Sequence, residues 1–232
     1  MATIGVEMIL TVLDSFLVAF SALLPLINPV GSALVFFGLV GDAPGPVYRH
    51  LAWRIAVNTI IFLTIIEVLG VTILNFFGIS LPIVQLAGGI VIAAMGWGVL
   101  NEPDARSTSR KKQEETDQDS QARAFEQKLF YPFTFPITAG PGTLVALITV
   151  TAQNSSRALT RNVLSHVGVF LAILVLSMFV YLCYRYAPAI TRIIPPSTAH
   201  GILRVIAFIL FCIGVQISWN GLSALIRQIL HA

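Results

Sequence analysis

Residues 24–32 read LPLINPVGS and residues 135–143 read FPITAGPGT. Both stretches interrupt long apolar runs with proline and glycine, and they do so in the same form. A shift of 111 positions lays Pro25 on Pro136, Gly31 on Gly142, Ser32 on Thr143 and Leu34 on Val145. Asn28 precedes Pro29, and a residue before proline is pushed out of the α region. Pro29 lacks an N–H and clashes with the turn behind it. The incoming helix must therefore end near Ile27. Asn28 suits an N-cap and Pro29 a first helical residue, so a half-helix is predicted from about residue 29 to about 40. In the second stretch Gly140 takes the cap and Pro141 the first helical position, with a half-helix running to about 152.

The surroundings are those of a membrane protein. The 232 residues are 56% hydrophobic and 11% charged, with a mean hydropathy of +0.84, where soluble domains are about 25% charged. A spanning helix needs ~20 mostly apolar residues. Six runs qualify: roughly 10–40, 53–77, 81–100, 129–152, 163–186 and 202–227. The first is too long for one crossing, and alignment on the fourth trims it to about 18–41, leaving 3–17 as an outward or interfacial extension that carries Asp14. No Lys or Arg occurs between Met1 and Tyr48, so a cleaved signal peptide is not expected. The expected fold is all-α and polytopic: six transmembrane helices in two inverted three-helix repeats, with helices one and four broken. The repeats are 1–100 and 129–232, and the polar stretch 101–128, mixed in charge and rich in Gln and Ser, is read as a flexible cytoplasmic loop.

Three spans per half invert the second half relative to the first, the plan of many secondary transporters. The later spans match more loosely: VQLAGGIVIAAMGW (84–97) and LRVIAFILFCIGVQ (203–216) align without a gap, with Gln85 over Arg204. For six spans, 11 of the 14 Lys and Arg flank the loops opposite the termini, and Arg157, Arg161 and Arg227 lie on the terminal side. The positive-inside rule makes the 11 cytoplasmic and both termini outside. Trp53, Trp97 and Trp219 fall near span ends, as interfacial aromatics do.

Inverted halves would point the two half-helix N-termini at one another near the midplane. Each offers unpaired N–H groups and about half a unit of positive charge, and backbone of that kind is tolerated at depth only inside protein or beside water. Such a pair suits a carboxylate or phosphate; ordinary packing kinks are the alternative. The expected substrate-binding residues are Asn28, Pro29, Gly31 and Ser32 at the first break, and Thr138, Gly140, Pro141, Gly142 and Thr143 at the second. Gln216 is the tenth. It shares a helical face with Asn220, either lining a cavity or bonding a neighbouring helix. Glu67 lies about ten residues before the Gly78 turn, ~15 Å into a core of ~30 Å. An intramembrane carboxylate is a functional candidate by default. Glu67 reads as a proton-coupling group or as a protonated hydrogen-bonder, on a face shared with Thr64 and Gly70. Cys183 and Cys212 sit in apolar runs and read as packing residues. His166 reads as interfacial.

No GxxxxGK[ST], HExxH or GxSxG motif is present, and no Cys or His pair has zinc spacing. Neither enzymatic activity, nor a cofactor, nor a metal, nor nucleic-acid binding is expected. The expected partners are the lipid bilayer, a small-molecule solute and a coupling H+ or Na+; self-association is left open.

LINPVGSALVFFGL (26–39), FGISLPIVQLAGGIVI (77–92) and FPITAGPGTLVALITV (135–150) resemble the MarC family of bacterial six-span inner-membrane proteins, related by name to multiple antibiotic resistance. The resemblance covers nearly the whole chain outside 101–128. Its motif residues here are Asn28, Pro29, Gly31, Gly140, Pro141 and Gly142. One departure is Gln85, where similar sequences usually carry a basic residue; Arg204 keeps the counterpart. The resemblance implies an inner-membrane location, and some members are similar to transporters of small neutral amino acids. The expected function is therefore secondary transport of such solutes, with the substrate carboxylate between the two breaks. A channel, a lipid-phosphate or drug exporter, and a non-transporting scaffold are the alternatives.

Overall fold

The computed structural model describes residues 2–41, 43–101, 129–154, 159–193 and 196–230. The expected loop 101–128 lies, but for Asn101, outside them. The described elements are α1 (Ala2–Ile27), α2 (Pro29–Val40), α3 (Gly45–Phe76), α4 (Leu81–Asn101), α5 (Leu129–Thr138), α6 (Pro141–Asn154), α7 (Leu159–Arg185), α8 (Ala187–Ile193) and α9 (Pro196–Leu230). Five of the helical stretches are long and apolar enough to cross a membrane, six when the bent pair α5 and α6 is counted as one span. The chain is a polytopic, all-helical membrane protein.

Both breaks occur where the prolines place them, but in different shapes. Asn28 alone interrupts the first, and α1 and α2 run on as one apolar span over Gly5–Val40. At the second, α5 and α6 meet at 65°. The incoming α5 is also not a regular helix. Tyr131 and Phe135 are extended (φ −116° and −124°), each preceding a proline that disfavours the α region. Its loosened turns are closed by hydroxyls reaching back five residues: Thr134 Oγ1 donates to the Leu129 carbonyl at 2.8 Å and Thr138 Oγ1 to the Phe133 carbonyl at 2.7 Å. A matched sequence signature thus gives unmatched geometry.

The trimming of the first span to 18–41 is corrected as well. α1 is continuous from Ala2, and its Val12–Phe16 turn already lies against α7, where a Cβ on Gly168 would stand 2.5 Å from the Val12 carbonyl. Residues 12–17 belong to the bundle; Asp14 is exposed on its far side.

Elements of one half pack on elements of the other. α4 lies along α9, α1 against α7, and α3 against α6 and α7. The α4–α9 seam is the closest. A Cβ on Gly89 would meet the Ser218 amide nitrogen at 2.4 Å, one on Gly214 the Ala93 nitrogen at 2.3 Å, and one on Gly221 the Pro82 carbonyl at 2.5 Å. Between membrane helices, where lipid is as apolar as leucine, such small-residue approach is what supplies packing energy. The densest core lies elsewhere, where α2, α3, α5 and α7 meet: Phe36 stacks on Tyr184 (4.5 Å between centroids) with Phe133 and Tyr48 edge-on to it.

Candidate functional site

At the first break the cap closes on itself. Asn28 takes the left-handed conformation (φ 43°, ψ 67°), which Asn tolerates better than most residues. Its Oδ1 accepts the Gly31 N–H at 3.1 Å and its carbonyl accepts the Ser32 N–H at 2.9 Å. Pro29 has no N–H to offer. The Ser32 hydroxyl turns back to the Ile27 and Asn28 carbonyls. A Cβ on Gly31 would stand 2.1 Å from Asn28 Nδ2, so glycine here makes room for the capping carboxamide. This helix end is largely satisfied by its own residues.

The second break is left open. Gly140 brings no side chain to the cap, and its carbonyl accepts from Leu144 at 3.3 Å. The N–H groups of Gly142 and Thr143 have no backbone acceptor among the described residues. Thr143 is 1% exposed, and its Oγ1 has no hydrogen-bond partner. Gly140, Gly142 and Thr143 face a cavity of about 70 Å3, with Leu26 from α1, Ile92 and Met95 from α4, Pro136 from α5 and Leu210 from α9. Leu26 brings the end of α1 to this cavity: a Cβ on Gly142 would stand 3.3 Å from its Cδ2 and 2.7 Å from Ile92 Cγ1. The open donors therefore lie at one break, beside the incoming helix of the other.

Tyr184, from the end of α7, links the two. Its hydroxyl is 2.7 Å from Thr138 Oγ1 and also engages the Ser32 side chain. Ser32 and Thr138 are thus joined to each other through one buried phenol rather than offered to a solute.

Glu67 is 3% exposed, and its Oε1 makes a short contact with Nδ1 of His166 on α7. The His166 side chain is 35% exposed. Thr151 and Asn154 of α6 and Asn162 and Ser165 of α7 gather around it. His166 is therefore a partner of the intramembrane carboxylate and not simply an interfacial residue. The sequence held a signal for this: Asn162, Ser165 and His166 put polar groups at i, i+3 and i+4 on one face of an apolar span. Tyr184 had none.

Gln216 lies apart from the cavity. It is exposed on the face of α9 turned away from α4, and its Nε2 donates to Asn220 Oδ1 at 3.0 Å on the same helix. It sits one turn from the exposed Trp219. Gln85 is buried at the α4–α9 seam, its Cβ 3.0 Å from where a Cβ on Gly221 would stand.

Comparison with known proteins agrees with this architecture. The family model described as MarC family integral membrane protein matches residues 13–226. The inner membrane protein MarC of Salmonella paratyphi A is 28% identical over 212 residues, covering 88% of this chain and 92% of its own. That of Citrobacter koseri is 29% identical over 221 residues, with the same coverage. No solved structure matches. Matched across both breaks and all the apolar spans, the chain belongs to the MarC family of integral membrane proteins.

Proposed function

We propose that the protein is a secondary transporter of small zwitterionic solutes such as the smallest neutral amino acids, working in the inner membrane for which its relatives are named. The observation that carries this reading is the unsatisfied second break. Gly142 and Thr143, whose N–H groups have no backbone acceptor among the described residues, line a cavity inside the bundle, and the buried Thr143 hydroxyl beside it has no partner. Leaving a buried polar group unpaired costs about 1–3 kcal/mol, and a helix N-terminus favours an anion. A carboxylate entering there would satisfy all three donors. The cavity of about 70 Å3 is little more than twice the ~30 Å3 one water takes in the liquid. In this conformation it admits a solute of glycine's size, and a larger one only after the walls part.

This departs from a site shared equally between the two breaks. The first break, capped by Asn28, shapes the wall through Leu26, and the second supplies the donors. Glu67 is the coupling group in this reading. α6 runs from the cavity at Thr143 to the polar cluster at Thr151, eight residues or ~12 Å away, so solute and proton would act on one helix.

The test is uptake and counterflow in proteoliposomes with a panel of amino acids. Saturable uptake of glycine or alanine, accelerated by the same solute on the far side, is expected. Non-saturating flux would make the protein a pore, and absence of any flux under an imposed pH or sodium gradient would remove the transport reading.

A further inference from the structure

A large cleft lies away from the breaks. It lies at the end of the bundle where α3 begins, α7 ends and α8 follows, and has a volume of about 1200 Å3. Three elements bring basic groups to it: Arg49 and His50 from α3, Arg185 from α7 and Arg192 from α8. Among the described residues, no Asp or Glu lines it. Guanidinium groups brought to one cleft favour an anion among them, and the planar fork of arginine matches the oxygens of a phosphate.

Arg185 is held in place for such a role. Its Nη1 donates to the Tyr181 hydroxyl at 3.1 Å, and its Cζ lies 5.8 Å and 5.2 Å from the ring centres of Tyr181 and Tyr186. These are cation–π distances. The contacts use the ring faces and a neutral oxygen, so the charge is positioned without being neutralised. Beside it Trp53 stands edge-on to Tyr181 at 5.9 Å and is 59% exposed, as an aromatic at headgroup level is. Apolar residues such as Pro46 and Pro188 share the wall.

We propose that this cleft is a phosphate-binding site, in which Arg49, Arg185 and Arg192 hold the headgroup phosphate of an anionic phospholipid. The same three arginines would also hold the phosphate of a free solute. The lipid is favoured by the size of the cleft, many times that of one phosphate, by its apolar wall, and by its place beside an interfacial tryptophan. Basic pockets between membrane helices are general sites for lipid phosphates. The inference does not rest on the transport reading.

The experiment is native mass spectrometry of the purified protein from micelles holding equal amounts of phosphatidylglycerol and phosphatidylcholine, with calorimetric titration of glycerol phosphate as the second arm. Preferential retention of phosphatidylglycerol is expected, weakening as salt rises. Arg49→Gln, Arg185→Gln and Arg192→Gln should each cut the preference roughly fivefold. If glycerol phosphate binds and is lost in the same variants while the lipid shows no preference, the phosphate site stands and its source is a soluble anion. No preference in either arm overturns the proposal. Arg192 is exposed on α8, so Arg192→Gln tests it without disturbing the core, and an unchanged preference in that variant also overturns it.

Discussion

The Tyr184 hydroxyl lies 2.7 Å from Thr138 Oγ1, across 46 residues of chain, and ties the end of α7 to the second break. Both hydroxyls it touches keep another acceptor when it is removed: Thr138 has the Phe133 carbonyl, and Ser32 those of Ile27 and Asn28. Tyr184→Phe should therefore cost only ~0.5–1.5 kcal/mol, a fall of roughly 1–6 °C in thermal midpoint. Tyr184→Ala also loses the stack on Phe36 and should cost ~3–5 kcal/mol. Thermal unfolding of the two variants in one detergent checks the ordering; equal losses would mean that the hydroxyl bridge, not the stack, holds this corner.

Thr143→Val separates a solute-binding hydroxyl from a structural one. The substitution keeps the shape and removes a buried group that has no partner, so stability should stay level or rise by up to ~1–3 kcal/mol. If that hydroxyl meets a carboxylate, affinity for glycine or alanine should fall roughly 10- to 150-fold, since a hydrogen bond to a charged group contributes ~1.5–3 kcal/mol. Calorimetric binding beside thermal unfolding reads both quantities. A destabilised Thr143→Val with unchanged binding would return the hydroxyl to a packing role.

Gly142→Ala should block the same site by volume. Its Cβ would come within 2.7 Å of Ile92 Cγ1, on the wall of the cavity. Uptake should fall at least tenfold, and Ile92→Ala in the same chain should restore part of it by making room. Failure of the second substitution to rescue any uptake would mean that the loss is not one of space.

Glu67→Gln keeps a side chain that can bond His166 but carries no exchangeable charge. Accumulation driven by a pH gradient should be lost, while solute exchange across the membrane continues, because exchange does not require the empty carrier to release its proton. His166→Gln should slow the driven mode with less effect on exchange. Unchanged driven accumulation in Glu67→Gln would make the pair a structural contact.

Orientation has its own test. The basic residues predict the C-terminus outside, so a reporter that is active only in the cytoplasm, fused after Ala232, should be silent. A bright fusion would reverse every inside and outside assignment in the chain.

Apolar length and punctuation made the helices and both interruptions legible in the sequence. A proline preceded by Asn28 or Gly140 forces a break whatever surrounds it, because the cause is local. The shape of each break was not legible. The 65° turn and the irregular α5 go with Tyr131 and Phe135, each before a proline; Pro132 has no counterpart in the first half, and Pro25, the counterpart of Pro136, sits inside the continuous α1. Nor does the sequence show that Asn28 would fold over its own helix end while Gly140, lacking a side chain, leaves its end open. Glu67 was conspicuous as a lone carboxylate in an apolar span. His166, 99 residues away, becomes its partner only through the packing of α3 on α7. Gln216 misled because helical periodicity tells which residues share a face but not which way that face turns.

The glycines between α4 and α9 have a mechanical meaning. Backbones closed to this distance at Gly89, Gly214 and Gly221 interlock like meshed teeth, and neither helix can slide without lifting the other away. The pair therefore travels as a single plate. Ile92, Met95 and Leu210, three walls of the cavity, all belong to that plate. The facing wall is built on Pro136 and Gly140, at the end of α5, whose backbone leaves the helical conformation at Tyr131 and Phe135. A gate in this protein would thus have a stiff jamb and a pliant leaf, with the hinge set between Thr138 and Pro141.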